Sequence, residues 1–142
     1  KRGIYYPPFL FRSFIFSNLT QIQELDLECS QELSAGQFNS MPKQHLIKLN
    51  VSDVLLTDFV FSNLDVIQEL NFGFATGLIA NQFNDIPKQP LVKLNLSTID
   101  LKNFVFSNFD SLKEIKLPLS KNIGEQNTKY LHENSHINII FS

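Results

Sequence analysis

The most informative stretch for the fold is FVFSNLDVIQELNF at residues 59–72, because the chain carries a close copy of it upstream. That copy, FIFSNLTQIQELDL, occupies residues 14–27, which places the two 45 residues apart. The likeness extends beyond the quoted stretch, since residues 14–63 align with residues 59–108 at about half of their positions. Self-similarity at a fixed period is typical of repeat architectures, in which each unit packs on its neighbours.

A shorter unit lies inside the longer one. Phenylalanines recur about every 22 residues, a typical repeat length, at Phe16, Phe38, Phe61, Phe83 and Phe106. Apolar triplets of the form Leu-x-x-Leu-x-Leu accompany them, at Ile22/Leu25/Leu27, Leu46/Leu49/Val51, Ile67/Leu70/Phe72, Leu91/Leu94/Leu96 and Leu112/Ile115/Leu117. A short strand in which every second side chain is apolar points those side chains into a core and the others outward. Extrapolation adds a strand at Ile4/Tyr6 and another at Ile137/Ile139, so we expect about seven short parallel strands and no long helix.

A unit of this size cannot bury its own apolar side, so about three or more must stack to form a stable core. The chain has the length for this, with 142 residues of which 43% are hydrophobic. The phenylalanines that lie five residues after Leu33, Leu56, Leu78 and Leu101 belong to the returning part of each unit. We expect them to pack as an aromatic spine on the side of the units away from the strands.

The segments FSNLTQIQELDL, FSNLDVIQELNF and HLIKLNVS resemble the extracellular leucine-rich repeats of animal Toll-like receptors and of related secreted and adhesion proteins. The resemblance implies a single domain over residues 1–142 with an α/β-type repeat fold. In that fold a right-handed curved solenoid has a parallel concave sheet, and its convex side is rich in loops. The segment SLKEIKLPLSKNIGE also resembles a surface-antigen repeat subtype of bacteria and protists, which stays open as the alternative.

Two departures from the Toll-like pattern change what the core must contain. The position that is usually asparagine, three residues after the last core leucine, is not asparagine in any unit, so we expect apolar packing at Val54 and Ile99 to replace a ladder of buried amides. The cysteine-rich end caps are missing as well, because Cys29 is the single cysteine. The residues at the departing position are Ser30, Val54, Ala75, Ile99 and Ser120.

Composition excludes several classes of partner. The net charge is −2 with acids and bases mixed along the chain, whereas a nucleic-acid or anionic-membrane partner normally requires a concentrated basic face. No apolar run approaches the roughly 18 residues that span a bilayer. The chain opens at Lys1 without a methionine and begins and stops within expected strands. We therefore expect a fragment of a longer repeat array, whose open ends form homo- or hetero-oligomers or are covered by other chain.

Outward positions of the expected strands form columns across the sheet. One column alternates in charge, with Lys48, Glu69 and Lys93 between further glutamates, and its residues in order are Glu24, Lys48, Glu69, Lys93, Glu114 and provisionally His136. Because stacked strands lie about 4.8 Å apart, each charge would sit between two of opposite sign. This arrangement fixes the register and leaves little net field, although an electrostatic stripe for a partner is the alternative.

Four apolar residues stand where we expect exposure: Tyr5, Ile47, Phe74 and Val92. Scattered exposed apolar residues are common, but a contiguous group on a sheet is the usual contact patch for a partner. We therefore take these four, with Lys48, Glu69 and Lys93, as candidate partner-binding residues on the concave face.

Three N-glycosylation triplets begin at Asn18, Asn50 and Asn95. Each is an acceptor only if the chain is secreted. Asn50 and Asn95 belong to the expected concave sheet, where a glycan would obstruct docking and move the partner to another side.

Three further motifs have plain structural explanations. His132-Glu-Asn-Ser-His136 matches the H-E-x-x-H zinc pattern, which requires a helix and a third ligand, but Asn134 and Ser135 favour helix poorly and the repeat frame places His136 on a strand. The Pro-Lys-Gln triplets at 42–44 and 87–89 are expected to be two-residue insertions that lengthen alternate turns, with a binding edge as the alternative. We expect Cys29 to be an unpaired thiol just beyond a strand, with intermolecular pairing as the alternative.

The sequence therefore predicts a protein-recognition module that has no catalytic residues, no metal and no cofactor. The resemblance implies an extracellular setting, such as an innate-immune receptor ectodomain, an adhesion protein or a secreted glycoprotein that binds another protein. An intracellular adaptor or scaffold built from the same repeats is the alternative.

Overall fold

The computed structural model describes residues 16–30, 32–88, 90–106, 109–119 and 123–142. Within this part of the chain lies one parallel sheet of six strands with few helices, an α/β-type fold. The strands are β1 (Glu24–Asp26), β2 (Lys48–Asn50), β3 (Glu69–Asn71), β4 (Lys93–Asn95), β5 (Glu114–Leu117) and β6 (Asn138–Phe141). The helices are α1 (Ala35–Asn39), α2 (Ala80–Asn84) and α3 (Glu125–Glu133), and a single 3-10 turn spans Phe16–Asn18.

The strands pair in the order in which they occur in the chain, each with the next and all parallel. The register joins Glu24 to Lys48, then Glu69, Lys93 and Glu114. The spacing alternates, because the step from Glu24 to Lys48 is three residues longer than the step from Lys48 to Glu69. The prediction of an insertion in alternate turns is confirmed, but the insertion is three residues long and not two. The six strands include the one expected at Ile137/Ile139, and the one expected at Ile4/Tyr6 lies outside the described residues.

The core is formed by the apolar positions of the repeat. Every strand except β1 and β6 has its central apolar residue buried, and the residues that precede these strands by two positions are buried as well: Leu46, Ile67, Leu91 and Leu112. Val54 and Ile99 have exposed fractions of 1% and 4%. Apolar packing therefore does fill the position at which an asparagine was missing.

The recurrent phenylalanines are buried, as expected, and they form two clusters. Phe38 stacks on Phe59 with ring centroids 4.8 Å apart and an angle of 16° between the ring planes. Phe83 stacks on Phe104 at 4.6 Å and 19°, which is almost the same arrangement one long repeat later. The rings that complete the clusters are Phe61 and Phe72 in the first and Phe106 and Phe109 in the second.

Two one-turn helices interrupt the loop-rich segments, and neither was predicted from the sequence. In α1 the Ser34 hydroxyl accepts from the Gln37 amide at 3.3 Å, and the Gln37 side chain accepts from the Ser34 amide at 3.0 Å. This reciprocal cap satisfies two amides that a helix start leaves without partners. The equivalent residue before α2 is Ile79, whose side chain offers no such bond, although its amide donates to Gln82 at 2.9 Å.

Side-chain amides on these helices hold the neighbouring loops. Asn39 donates to the Asp58 carbonyl at 3.0 Å and accepts from the Val60 amide at 2.8 Å. Asn84, its counterpart in the second copy, accepts from the Val105 amide at 3.0 Å. Because a side-chain amide can serve a backbone donor and a backbone acceptor at once, the loop groups keep their hydrogen-bond partners without a strand beside them.

The same kind of bond continues toward the C-terminus. Gln82 of α2 donates to the carbonyls of Leu56 and Phe59 at 2.7 and 2.8 Å. Asn127 of α3 is buried, donates to the Phe104 carbonyl at 2.7 Å and accepts from the Phe106 amide at 2.9 Å. Polar side chains of the helices thus hydrogen-bond to the backbone of the loops in neighbouring units.

The lysines of the Pro-Lys-Gln triplets bind neighbouring loops, and Lys43 is a core residue rather than a plain turn residue. Lys43 is completely buried, donates to the Val60 carbonyl and lies 4.4 Å from the centroid of the Phe38 ring. Burial lowers the pKa of Lys43 to about 8. Lys88 is only half-buried and donates to the Val105 carbonyl at 3.2 Å, and burial lowers its pKa as well.

The placement of His136 on a strand beside Glu114 is wrong, because Asn138 occupies that position in the register. The unit between β5 and β6 contains the nine-residue helix α3 and is longer than the short repeat period assumed for it. The longer period, applied from Lys93, leads to Asn138, so it was the reliable guide.

Candidate functional site

The alternating charges form a ladder on the open face of the sheet. The Lys48 ammonium lies 3.7 Å from the Glu24 carboxylate and 3.8 Å from the Glu69 carboxylate. The Lys93 ammonium lies 3.9 Å from Glu69. About half of each lysine side chain is exposed, and exposed pairs contribute only about 0–1 kcal/mol each. The ladder therefore fixes register and side-chain positions more than it adds stability.

Ile47 and Val92 flank this ladder as half-buried side chains at the starts of β2 and β4. In register they alternate with the exposed residues Gln23, Gln68 and Lys113. The structure thus aligns Lys48, Glu69 and Lys93 in one column and places Ile47 and Val92 directly before β2 and β4. Tyr5 lies outside the described residues.

A column of polar side chains lies beside the charged column. Hydrogen bonds join these side chains between β1 and β2 and between β3 and β4. Asn50 donates to the Asp26 carboxylate at 3.0 Å, and Asn95 donates to the Asn71 side chain at 2.8 Å. Each of these four side chains also accepts from the backbone amide two residues further on, as in Asx turns. Both bonds span the longer of the two spacings, and no such side-chain bond joins β2 to β3 within the described part of the chain.

These bonds distinguish the three glycosylation candidates. Asn18 is exposed at the end of the 3-10 turn. Asn50 and Asn95 are half-buried, and the nitrogen that would carry a sugar already donates to the neighbouring strand. A glycan therefore meets less obstruction at Asn18 than at Asn50 or Asn95.

Phe74 belongs to a different place from the other candidates. It lies in the turn after β3, at the edge where the parallel strands end, whereas Ile47 and Val92 lie where strands begin. Its ring is 68% exposed, and its backbone φ is +60°. The Phe74 amide donates to the Thr98 hydroxyl at 2.7 Å. The structure thus separates Phe74 from the sheet-face group.

The turns after β1 and β2 hold Cys29 and Asp53 in the same left-handed conformation, with φ of +60° and +57°. The Cys29 thiol is free and exposed and donates to the Asp53 carboxylate at 3.4 Å. That hydrogen bond raises the pKa of the Cys29 thiol, and the nearby charges of Asp53, Glu28 and Asp26 raise it further. The arrangement keeps the sulfur protonated and therefore weakly nucleophilic.

The histidine motif does not assemble into a metal centre in the part of the chain that is described. His132 and Glu133 lie on α3, but the helix ends at Glu133, so His136 follows in a turn. No group of three histidine, cysteine or acidic side chains is placed to hold a metal ion among the described residues. Asn134 and Ser135, expected to favour helix poorly, lie beyond the end of α3, so the two histidines do not share one helix face.

Two exposed apolar residues, Leu55 and Ile79, were not predicted from the sequence. They are 57% and 58% exposed; Leu55 pairs with Thr76, two residues after Phe74 in the chain, and Ile79 directly precedes α2. A comparison of the two copies would have found them, because their counterparts at the longer period are Asp100 and Ser34.

Comparisons of this chain with protein-family models, with curated proteins and with solved structures found no match. Among the described residues, no helix is long and apolar enough to cross a bilayer. The geometry of the sheet face and its edges is therefore the basis on which a function can be assigned.

Proposed function

We propose that the chain is a leucine-rich-repeat domain whose function is to bind another protein through an exposed surface of its parallel sheet. In this proposal the units form a right-handed solenoid with the charged ladder on its concave face. The strand order, the regular register and the burial of the repeated leucine positions in the inner strands support such an arrangement. The resemblance to Toll-like and secreted repeat proteins supports an extracellular role in recognition or adhesion.

One observation carries the functional part of the proposal, namely an open sheet face with apolar side chains on a fixed frame. The lysines and glutamates of the ladder and the paired amides beside it hold one another in place. Ile47 and Val92 are partly exposed on this frame. Side chains that are already ordered lose little entropy on association, which favours binding by shape complementarity.

A capture experiment tests the proposal. The immobilised chain is exposed to the secreted fraction of the source cells, and bound proteins are quantified by mass spectrometry against the double variant Ile47→Ala/Val92→Ala. We expect a specific partner whose recovery falls about tenfold with the double variant, the loss typical of an interface anchor. Val60→Ala is the matched control, because Val60 is 45% exposed on a loop away from the sheet face.

Equal recovery with the double variant and the wild-type chain would remove the sheet face from the proposal. Secretion of the chain from a glycosylating host tests the extracellular part independently. A glycan at Asn18 and a folded product agree with that setting, whereas a misfolded, retained product favours the intracellular adaptor.

A further inference from the structure

Exposed apolar side chains are concentrated on the two sides of β3 along the chain. Of the seven large hydrophobic residues that are strongly exposed in the described part of the chain, five fall between residues 55 and 79. The counterparts of Leu55 and Val66 in the second copy are the polar residues Asp100 and Ser111. Stacking of the units therefore does not require an apolar side chain at either position. The five are Leu55, Val60, Val66, Phe74 and Ile79.

Three of the five belong to the segment between β3 and α2 or pair with it, and we call them the apolar edge patch: Phe74, Ile79 and Leu55. Leu55 forms a parallel bridge with Thr76. A Cβ atom added at Gly77 would lie 3.1 Å from Leu55 Cδ1, so the Leu55 side chain rests over the bare backbone between Phe74 and Ile79. Gly77 itself has φ of +75°. The glycine thus gives both the turn and the space that bring the patch together.

Phe74 is an unfavourable residue for its position on two counts. Its φ of +60° is a conformation that bulky side chains rarely adopt and that asparagine, aspartate and glycine tolerate better. Its ring also remains 68% exposed, so burial within the chain does not compensate for the strain. A strained and exposed aromatic side chain is a reason to look for a partner that covers it.

Carboxylates border the patch on one side. The Asp53 amide donates to the Gly73 carbonyl at 3.1 Å, which places Asp53 directly beside the Phe74 turn. Asp26 and Glu28 immediately precede Cys29, whose amide donates to the Ser52 carbonyl at 3.2 Å and whose thiol donates to the Asp53 carboxylate at 3.4 Å. An apolar surface with an acidic border is complementary to a segment that carries apolar and basic side chains together.

We propose that the apolar edge patch binds a protein segment in which an aromatic or large aliphatic side chain is flanked by lysine or arginine. The apolar side chain packs against Phe74 and Leu55, and the basic ones face Asp53 and Glu28. This inference rests on the proposed function of protein recognition. It adds a contact at an edge of the sheet to the one proposed on the open face.

A selection from a phage-displayed library of random peptides tests the inference on the full chain. We expect the enriched peptides to combine aromatic or aliphatic residues with an excess of lysine and arginine. Binding of the best peptide should fall about 30-fold with Phe74→Asn, the loss of an interface hot spot. It should fall less with Asp53→Asn, and an increase of salt from about 0.05 M to about 0.5 M should weaken it because exposed charges are screened.

Phe74→Asn is suited to this test, because asparagine accepts the left-handed backbone and the variant remains folded. Val66→Ala is the matched control and should leave peptide binding unchanged, because Val66 is 41% exposed but belongs neither to the apolar edge patch nor to the sheet-face group. Enrichment of neutral or acidic peptides, or peptide affinity that is unchanged by Phe74→Asn, would overturn the inference. So would a selection that yields no binder.

The outcomes also separate this inference from the proposed function. Peptides that bind the wild-type chain and Phe74→Asn equally, but lose affinity for Ile47→Ala/Val92→Ala, would place recognition on the sheet face. The proposed function would then stand while the edge assignment fails. A selection that enriches no peptide contradicts only the assignment of binding to the edge, because the capture experiment tests the proposed function independently.

Discussion

The two long copies in this chain differ far more on their surfaces than in their interiors. Phe38 on Phe59 and Phe83 on Phe104 stack at nearly equal centroid distances, 4.8 and 4.6 Å, and at angles of 16° and 19°. Outside the core, the first copy has a capping serine where the second has Ile79. The first copy also has Cys29 at the position where the second copy has Phe74. Packing density constrains buried side chains tightly, whereas exposed positions are free to acquire binding chemistry.

The largest effect should come from the stacked rings, and it tests whether the two interiors are equivalent. Phe38→Ala and Phe83→Ala each remove a fully buried ring from a cluster. We expect each to lower the free energy of unfolding by about 3–5 kcal/mol, through lost burial and a cavity. Urea unfolding of the two variants measures this. A cost below about 1 kcal/mol for either ring would show that its cluster repacks freely and that the copies are not equivalent.

The buried lysines should distinguish the copies through pH. The folded-state pKa of Lys43, about 8, lies below the value of about 10.5 in the unfolded chain. Between these values the unfolded chain holds a proton that the folded chain has released, so stability rises with pH across the window. We expect a gain of up to about 3 kcal/mol, on the scale of about 1.36 kcal/mol per pKa unit.

Denaturation at pH 7, 8, 9 and 10 measures this gain, and Lys43→Met supplies the control because it removes the titrating group. Lys88→Met should alter the pH dependence less, since Lys88 is only half-buried. If the profile of Lys43→Met matched that of the wild-type chain, the ammonium of Lys43 would not be desolvated in the folded state.

The helix caps offer a smaller contrast between the copies. Ser34→Ala removes the hydroxyl that accepts from the Gln37 amide, and we expect a loss of about 1 kcal/mol. Ile79→Ser introduces a capping hydroxyl at a residue whose φ of −113° and ψ of 160° suit one, and we expect a gain of up to about 1 kcal/mol. Thermal unfolding of both variants measures the changes. Opposite signs are required, and a loss in both would show that Ile79 contributes packing that outweighs a cap.

The smallest effect should come from the strained turns, and it bears on the apolar edge patch. Phe74→Asn relieves a left-handed phenylalanine, which costs about 1 kcal/mol more than asparagine there. Stability, measured by urea unfolding, should therefore rise slightly while peptide binding falls. Cys29→Asn is the substitution at the corresponding position of the first copy. It should raise stability by less, because it also removes the hydrogen bond from the Cys29 thiol to the Asp53 carboxylate. A clear loss of stability in Phe74→Asn would mean that the ring packs usefully in the free protein.

Much of the fold was predictable because the same pattern of apolar and polar residues recurs in every unit of the repeat. The strand centres at Leu49, Leu70, Leu94 and Ile115 follow from alternation of apolar and polar positions, and the buried phenylalanines follow from recurrence. The register near the C-terminus was mispredicted at His136, because a uniform short period was assumed where long and short steps alternate. The step from Glu114 to Asn138 equals those from Glu24 to Lys48 and from Glu69 to Lys93, so the longer period predicts it.

The candidate site was predictable only in part. The column of Lys48, Glu69 and Lys93 was predictable because side chains alternate along a strand with a period of two, and the register aligns these three residues. Phe74 was grouped with them, although it lies past the end of β3, where that alternation no longer holds. Lys43 was interpreted as a turn residue because lysine is rarely buried without a partner, and its partner, the Val60 carbonyl, is supplied by a distant loop.

Periodicity in the amino-acid sequence established the repeat, the strand positions, the apolar core and the order of charges across the sheet, because each of these is a local property of the chain. Folding in three dimensions then settled which polar groups meet, such as Asn39 with the loop at Asp58 and Val60. It also settled which apolar residues share an edge, such as Leu55 with the Phe74 turn. Those contacts join residues that are distant along the chain, and their geometry depends on how one unit stacks on the next.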